Sequence, residues 1–321
     1  MSEQAIIARY FSRHSAGGSV EVGIGDDGAV VRPPENSRLV ITSDTLNEGI
    51  HFESGCLPEH LGHKALAVSL SDLAAMGAAP LWATLNLSLL ETEHDWLEGF
   101  SRGLFALADR YGVRIVGGDL ARGPLSISVQ AIGYLESGSM LTRSNAMPGD
   151  LICVSGTIGD AALGLRLRSC AQGHDISGAD QEYFALRLDR PEPRVDIGLG
   201  IRVCASAAID VSDGLLRDVQ QVASMSKVGA CINIEQIPLS EAMQKQLKTD
   251  KDWNVVLSGG EDYELVFTVH PEHRATIHEI SEKTGCPISL IGQITRGSGI
   301  ELLRAGRGFP MPGQLGFDHF V

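Results

Sequence analysis

The chain has 321 residues, of which 43% are hydrophobic and 21% are charged, so it is long enough to bury cores for two domains. Its formal net charge of -14 argues against nucleic acid or an anionic membrane as the main partner, because both need a basic surface. To bind an anionic substrate, such an acidic protein would need cations that the chain itself does not supply, such as metal ions.

The N-terminal residues and the cysteines indicate a cytoplasmic protein. Residues 1–14 contain Glu3 and only a two-residue apolar run before Arg9, which predicts an amphipathic helix near 3–13 instead of a signal peptide. The six cysteines show no C-x-x-C pair and no zinc-type spacing, so we expect reduced thiols.

Helical and strand patterns alternate through the first half of the chain. Residues 65–90 carry Asp72 as their only charge and are long enough to span a bilayer, but Gly77 and Pro80 break the run into helix, turn and strand. The other elements predicted here are strands at 39–44, 81–90, 113–119 and 125–135, and helices at 58–76 and 95–112.

A polar stretch at 136–150 is the best candidate for a linker, and a second α/β unit begins at "LICVSG". Its predicted helices lie near 159–169, 179–189, 194–205 and 214–226, and its predicted strands at 230–235, 263–269 and 288–294. The pattern predicts an α/β (α+β) protein of two domains, without internal repeats.

Aspartates recur where apolar strands end or where a helix is apolar. Asp44 ends the strand at 39–44, Asp72 lies on the apolar face of the helix at 58–76, and Asp119 follows a double glycine. The full set is Asp26, Asp27, Asp44, Asp72, Asp119, Asp210 and Asp213. A carboxylate among apolar neighbours is costly unless arginines or metal ions neutralise it.

Magnesium explains these acids better than arginine does. Arg122 and Arg143 are the arginines we identify near the motifs, whereas Mg²⁺ prefers carboxylates together with phosphate oxygens and water, and Thr42 and Ser43 could add hydroxyl oxygens. Several ions are therefore expected. Structural interpretations remain open for single motifs: a solvated turn at 26–28, or a helix N-cap at Asp213.

A bound nucleotide would need phosphate contacts other than a P-loop, because G-x-x-x-x-G-K-[ST] does not occur in the sequence. Gly117-Gly118 and "LSGGEDYEL" offer backbone N–H groups that a phosphate could approach closely. Arg143 supplies a guanidinium fork suited to phosphate oxygens, or else a surface salt bridge.

Taken together, these motifs resemble the thiamine-monophosphate kinase family, in the same order and over nearly the whole chain. The matching segments are "GIGDDGAV", "SDTLNEGIHF", "KALAVSLSDLAAMGAAP", "GGDLARGPLSIS", "LTRSNAMPGD", "AIDVSDGLLRD", "LSGGEDYEL" and "GFDHF". The wider superfamily, which includes aminoimidazole ribonucleotide synthetase and selenophosphate synthetase, shares the acidic N-terminal motifs. The last two segments narrow the resemblance to the kinase.

The resemblance implies a two-domain aminoimidazole ribonucleotide synthetase-like fold. Residues 1–137 would form an N-terminal domain that binds ATP and Mg²⁺ and pairs with its copy in a homodimer, and residues 148–321 would form a C-terminal α/β domain. ATP and several Mg²⁺ ions would be bound between segments of both domains.

The resemblance also assigns site residues. Matches to metal-binding positions are Asp27, Thr42, Ser43, Asp44, Asp72, Asp119, Asp210 and Asp213. Matches to nucleotide-site positions are Gly118, Asp119, Arg143 and Ser212, and matches to substrate-site positions are His51, Glu261 and Phe317. The family more often has Trp or Tyr where Phe317 stands and often Thr where Ser43 stands. Phe317 keeps the aromatic face but has no N–H or O–H group to donate, and Ser43 keeps a hydroxyl.

The implied reaction is ATP-dependent phosphorylation of thiamine phosphate to thiamine diphosphate. The acceptor is a phosphate oxygen that is largely ionised at neutral pH, so we expect no catalytic general base and direct, in-line, metal-assisted transfer. Three alternatives remain: another ATP-dependent synthetase or ligase of the superfamily, a metal-dependent phosphatase, or a non-catalytic protein that binds Mg²⁺ and nucleotide.

Overall fold

The structure is a computed structural model that describes residues 1–14, 17–136, 140–169, 176–249, 252–318 and 320. It divides into two compact units. The first takes in Met1–Leu73 and Ala78–Gly138, and the second takes in Ala74–Gly77 and Ser139–Val321. The boundary predicted at Ser137 lies outside the described residues, as does Cys170.

The first unit has a four-stranded sheet covered by two long helices. Its elements are α1 (Glu3–Ile6) with a π-helical turn (Ile7–Phe11) and a 3₁₀ turn (Ser12–His14), β1 (Val20–Val22), β2 (Val30–Val31), β3 (Arg38–Asn47), α2 (Pro58–Ala75), β4 (Ala79–Leu89), α3 (His94–Tyr111), β5 (Arg114–Arg122) and β6 (Ser126–Leu135). The strand order is β3-β6-β4-β5, with β4 and β5 parallel and the other pairs antiparallel. β1 and β2 form a separate antiparallel pair.

The helices α2 and α3 approach each other closely because glycines face the partner backbone. A Cβ at Gly62 would overlap the carbonyl oxygen of Phe100, and one at Gly103 would overlap that of Glu59. Fully buried side chains such as Leu66 stabilise this unit.

The second unit has a seven-stranded sheet with helices packed against it. Its elements are β7 (Leu151–Ser155), α4 (Asp160–Ser169), α5 (Gly178–Asp189), α6 (Val195–Ile201), β8 (Ala205–Asp210), α7 (Leu215–Ser226), β9 (Gly229–Asn233), a 3₁₀ turn (Ile234–Gln236), α8 (Glu241–Gln244), α9 (Trp253–Ser258), β10 (Leu265–Val269), a 3₁₀ turn (Pro271–His273), α10 (Arg274–Thr284), β11 (Ile288–Thr295), β12 (Gly299–Arg304) and β13 (Arg307–Gly308). The strand order is β13-β12-β9-β11-β7-β10-β8, and β12 and β9 are the parallel neighbours.

The core of the second unit lies between the sheet and α7. Ile152 and Ile209 from the strands pack with Leu216 and Val219 of α7 in one buried cluster. In the sheet, β8 pairs with β10 so that Asp210 lies opposite Leu265. The register places the end of β8 beside the segment that precedes β10.

The α/β (α+β) prediction is confirmed, and so is the division of 65–90 into helix, turn and strand, as α2 and β4. No helix among the described residues is long and apolar enough to cross a membrane. The helix predicted over 194–205 was too long, because α6 ends at Ile201 and β8 begins at Ala205. The helix α10 was not among the predicted elements.

Candidate active site

The first unit contains a cavity of about 370 Å³ beside the "GIGDDGAV" turn. It is lined by residues 23–29 of the turn and by residues 115–120 of β5. The lining also includes the apolar residues Ile7, Phe11 and Leu87. The cavity therefore combines an apolar wall with exposed acids, which suits a ligand that has both a ring and phosphates.

Three of the predicted site residues, Asp27, Gly118 and Asp119, lie at this cavity. Gly118 has a φ of +143°, and a Cβ there would overlap the carbonyl oxygen of Leu85 on the paired strand β4. Only glycine fits at that position. Asp27 and Asp119 are exposed, so their carboxylates are accessible to a cation.

A second acidic group in the first unit joins β3 to α2. Thr42 Oγ1 donates a hydrogen bond to Asp72, and Ser69 Oγ donates to Asp44 Oδ2 at 2.8 Å. The pKa of Asp44 is raised to about 6, first by burial and then by the negative charge of Asp72. The hydrogen bond from the Ser69 hydroxyl lowers this pKa and offsets part of the rise. Ser43 lies on the opposite, exposed face of β3 from Thr42 and Asp44, so the structure does not bring its side chain to this group.

The donor set of Asp44 and Asp72 fits a divalent cation. In the part of the chain that the structure describes, no three His, Cys, Asp or Glu residues are arranged to hold a metal ion by themselves. Mg²⁺, however, is usually bound by one or two carboxylates, with phosphate oxygens and water completing its shell. Two neighbouring carboxylates, with a threonine hydroxyl beside them, meet that requirement.

The third acidic group follows β8 in the second unit and contains Asp210, Asp213 and Asp218. Asp218 is buried in the first turn of α7, where it accepts hydrogen bonds from the N–H groups of Asp213, at 3.3 Å, and Gly214, at 3.2 Å. Burial, then Asp210 and Asp213, raises the pKa of Asp218 to about 8. Asp218 was not among the predicted site residues, although it closes the quoted motif "AIDVSDGLLRD".

Arg143 is connected to this third group through a glutamine. Arg143 Nη1 donates to Gln221 Oε1 at 2.8 Å, and Gln221 Nε2 donates to Asp218 Oδ1 at 3.2 Å. Arg143 itself is exposed. Its guanidinium group is thus oriented near the acids and accessible to an anion.

Two more predicted residues, Glu261 and Phe317, are attached to the backbone of the turn after β8. The N–H of Glu261 donates to the carbonyl oxygen of Ser212 at 2.8 Å, and the N–H of Phe317 donates to that of Asp213 at 2.9 Å. The structure therefore brings together Ser212, Asp213, Glu261 and Phe317, from three distant parts of the sequence.

Arg217 contacts this turn, although the sequence analysis predicted that metal ions and not arginines would neutralise these acids. Arg217 Nε lies 3.3 Å from Asp213 Oδ2, and Arg217 Nη2 lies 3.2 Å from Asp318 Oδ2. Arg217 further donates to the carbonyl oxygen of Phe317. Asp213 is therefore neutralised in part by arginine.

His51 lies in the first unit, in the loop after β3, where its Nδ1 accepts a hydrogen bond from the N–H of Asn47 at 3.0 Å.

Ser69 and Arg217 were not predicted as site residues. Their spacing along the chain could have identified them, because residues three or four apart on a helix lie side by side. Ser69 precedes Asp72 by three residues on α2, and Arg217 follows Asp213 by four.

Comparison with known proteins defines the class. The family model "AIR synthase related protein, N-terminal domain" matches residues 25–135, and "AIR synthase related protein, C-terminal domain" matches residues 147–304. The protein is thus an AIR synthase related protein with both of the class's domains.

Within this class, individual relatives that are similar over nearly the whole chain identify the family. The thiamine-monophosphate kinase of Salmonella typhimurium is 44% identical over 99% of this chain and 98% of its own length. The crystal structure of the thiamine-monophosphate kinase from Stenotrophomonas maltophilia has a TM-score of 0.87 at 45% identity and covers 94% of this chain and 96% of that one. AaThiL complexed with AMPPCP and TMP has a TM-score of 0.76 at 32% identity, covering 92% of each chain. The chain belongs to the thiamine-monophosphate kinase family.

Proposed function

We propose that the protein transfers the γ-phosphoryl group of ATP to the phosphate of thiamine phosphate, giving thiamine diphosphate and ADP. Full-length relatives that carry the kinase name support this, as does the related structure with an ATP analogue and TMP. The observation in this chain that carries the proposal is the pair Asp44 and Asp72: two carboxylates held close together, one of them partly buried, as Mg²⁺–phosphate chemistry requires.

The nucleotide site that we propose includes Gly118, Asp119, Arg143 and Ser212. In the first unit, the cavity beside Gly118 has apolar side chains for a base and exposed acids for the metal-bound phosphates. In the second unit, Arg143 presents a guanidinium group that can donate two parallel hydrogen bonds to a phosphate. Residues 1–137 would thus serve ATP and Mg²⁺, and residues 148–321 would contribute the arginine-bearing and substrate segments.

The proposed magnesium ligands are Asp27, Thr42, Asp44, Asp72, Asp119, Asp210 and Asp213. These residues would hold Mg²⁺, whose positive charge would offset the negative charge that develops during phosphoryl transfer. The chain's own contribution is to fix the oxygen donors: Ser69 orients Asp44, and Thr42 orients Asp72. Asp218 accepts hydrogen bonds from the N–H groups of Asp213 and Gly214 and thereby holds the turn that carries Asp213.

The acceptor side of the reaction requires positioning instead of a base. Glu261, Phe317 and His51 are the proposed contacts to thiamine phosphate, and the Phe317 ring is 49% exposed, so that a thiamine ring can pack on its face. The acceptor phosphate is already ionised at neutral pH, so direct in-line transfer needs no proton acceptor on the protein.

We also propose that the first unit pairs with its copy through β3. Within the described residues this strand pairs only with β6, and Leu39 and Ile41 on it are 45% and 61% exposed. An edge strand with exposed apolar residues is a ready site for association. Light scattering after size-exclusion chromatography should show a dimer for the wild type and a monomer for Ile41→Glu, whereas Leu165→Glu on α4 should stay dimeric. A wild-type monomer would contradict the pairing.

The five cysteines described are free thiols, which agrees with a reducing compartment, and we propose the cytoplasm.

The direct test of the proposed function is ³¹P NMR of the purified protein with Mg-ATP and thiamine phosphate. We expect thiamine diphosphate and ADP to appear together and in equal amounts. Inorganic phosphate released from thiamine phosphate without ATP would indicate a phosphatase, and bound nucleotide without turnover would indicate a sensor; either result would overturn the proposal.

A further inference from the structure

The segment Gly259–Glu264 contains two residues with a strained backbone and two buried carboxylates. Glu261 and Tyr263 have φ values of +72° and +51°, in the left-handed region that non-glycine residues rarely adopt. Between and after them, Asp262 and Glu264 are 1% and 0% exposed. Such a conformation costs free energy and persists only where the surroundings hold it.

On one side, the segment is held by the turn after β8. The N–H of Tyr263 donates to the carbonyl oxygen of Val211 at 2.9 Å, and the N–H of Val211 donates to that of Glu264 at 2.7 Å. A Cβ at Gly260 would overlap the carbonyl oxygen of Ser212. The backbone at Glu261 is therefore pressed against the turn that contains Ser212 and Asp213.

On the other side, Asp262 holds the segment to the start of α4. Its two carboxylate oxygens accept hydrogen bonds from the N–H of Gly159 at 2.7 Å and from the N–H of Ala161 at 3.3 Å. Both oxygens are used, and both donors belong to fixed backbone. An amide in place of the carboxylate would present an NH₂ group to one of these N–H donors.

Glu264 holds the end of the segment through a buried cluster of charges. Its carboxylate accepts hydrogen bonds from Ser155 Oγ at 2.6 Å, from Arg187 Nη2 at 3.0 Å, and from Arg194 Nε and Nη2 at 2.6 and 2.5 Å. Gly156 has no room for a Cβ, which would overlap this carboxylate. The two acids thus fix the stretch of chain that directly follows Glu261.

We propose that Asp262 and Glu264 are positioning residues, which act on thiamine phosphate through Glu261 by holding its backbone in the left-handed conformation beside Ser212. The inference rests on the proposed function, in which Glu261 contacts that substrate. The hydrogen bonds of Asp262 go to Gly159 and Ala161, which are not among the proposed nucleotide-site residues, so its effect should fall mainly on thiamine phosphate.

The test is a double-mutant cycle between Glu261→Gln and Asp262→Asn in the full-length protein. Asp262→Asn should raise KM for thiamine phosphate about tenfold and leave KM for Mg-ATP within about twofold, because the amide NH₂ group cannot accept a hydrogen bond from one of the two backbone N–H donors. If Asp262 acts through Glu261, the double variant should have the KM of Glu261→Gln alone. The control Asp189→Asn, which disrupts a mostly buried ion pair with Arg168 in the same unit, should leave both KM values unchanged.

The outcomes separate this inference from the proposed function. An unchanged KM in Asp262→Asn, or effects that multiply in the double variant, would overturn the positioning role. If Glu261→Gln itself leaves KM for thiamine phosphate unchanged, the assignment of Glu261 fails first. Should Asp262→Asn not fold, Ser155→Ala decides instead: we expect KM for thiamine phosphate to rise about threefold, with no further rise when Glu261→Gln is added, and an unchanged KM would contradict the inference.

Discussion

The carboxylates of Glu264 and Asp218 are both buried in the second unit, but their surroundings differ. Glu264 lies among two arginines and a serine, each within 3.0 Å. Asp218 is influenced mainly by burial and by the neighbouring carboxylates Asp210 and Asp213, and only N–H groups counteract them. Asp44 in the first unit resembles Asp218, because burial and Asp72 raise its pKa.

The difference separates acids that hold the fold from acids that serve the reaction. A buried carboxylate with arginine partners is neutralised by the chain itself, and removing it leaves buried positive charges. Carboxylates that face one another destabilise the folded protein until a cation binds. Acids of the second kind are therefore expected to matter for activity and not for folding.

The largest expected effect is the loss of activity in Asp44→Asn. We expect kcat/KM to fall about 100- to 1,000-fold, as for removal of a group that stabilises developing charge, with no decrease in Tm, because one of two neighbouring like charges is gone. Steady-state kinetics and thermal melts measure both. Asp109→Asn, an exposed acid 3.4 Å from Arg13 in the same unit, is the matched control and should behave as wild type. Wild-type turnover in Asp44→Asn would contradict the assignment.

Glu264→Gln is expected to lower the stability of the fold, in addition to any change in KM for thiamine phosphate that follows from its role in holding Glu261. Its free energy of unfolding should fall by about 3 kcal/mol, because the guanidinium groups of Arg187 and Arg194 lose their buried anion. Urea titration measures this. The control Asp189→Asn should cost about 1 kcal/mol, because its partner Arg168 is more exposed. Equal losses for the two variants would show that burial of the ion pair does not decide the cost.

The smallest effect on activity is expected from changing the surroundings of Asp213, which lies near the acid Asp218 and is also paired with Arg217. Arg217→Gln removes the partner of Asp213 and the donor to Phe317, so we expect KM for thiamine phosphate to rise about threefold while Tm changes little, because the pair is partly exposed. Initial rates at saturating Mg-ATP measure this. A large loss of stability would place Asp213 among the structural acids.

Much of the fold was accessible from the sequence, because apolar periodicity reports directly on helices and strands. The strand at 39–44 and the helix at 58–76 appear as β3 and α2. The helix α10 was missed since only two of its residues, Ile277 and Ile280, are buried, which leaves a weak apolar pattern.

The site residues were less accessible, because spacing along the chain does not report on distant pairings. The motifs identified Asp210, Asp213 and Glu261 one at a time. The hydrogen bond between Glu261 and Ser212, however, depends on the register of β8 with β10, which the motifs do not report. Glu264 was quoted within "LSGGEDYEL" and yet not singled out, because its partners Arg187 and Arg194 precede it by 77 and 70 residues.

We expect the acids that face other acids to hold divalent cations. Electron paramagnetic resonance of Mn²⁺, titrated into the protein with a nonhydrolysable ATP analogue, measures this most directly. We predict that Asp44→Asn and Asp72→Asn weaken Mn²⁺ binding at least about tenfold while Asp109→Asn binds as wild type does. Wild-type Mn²⁺ affinity in both Asp44→Asn and Asp72→Asn would contradict the claim.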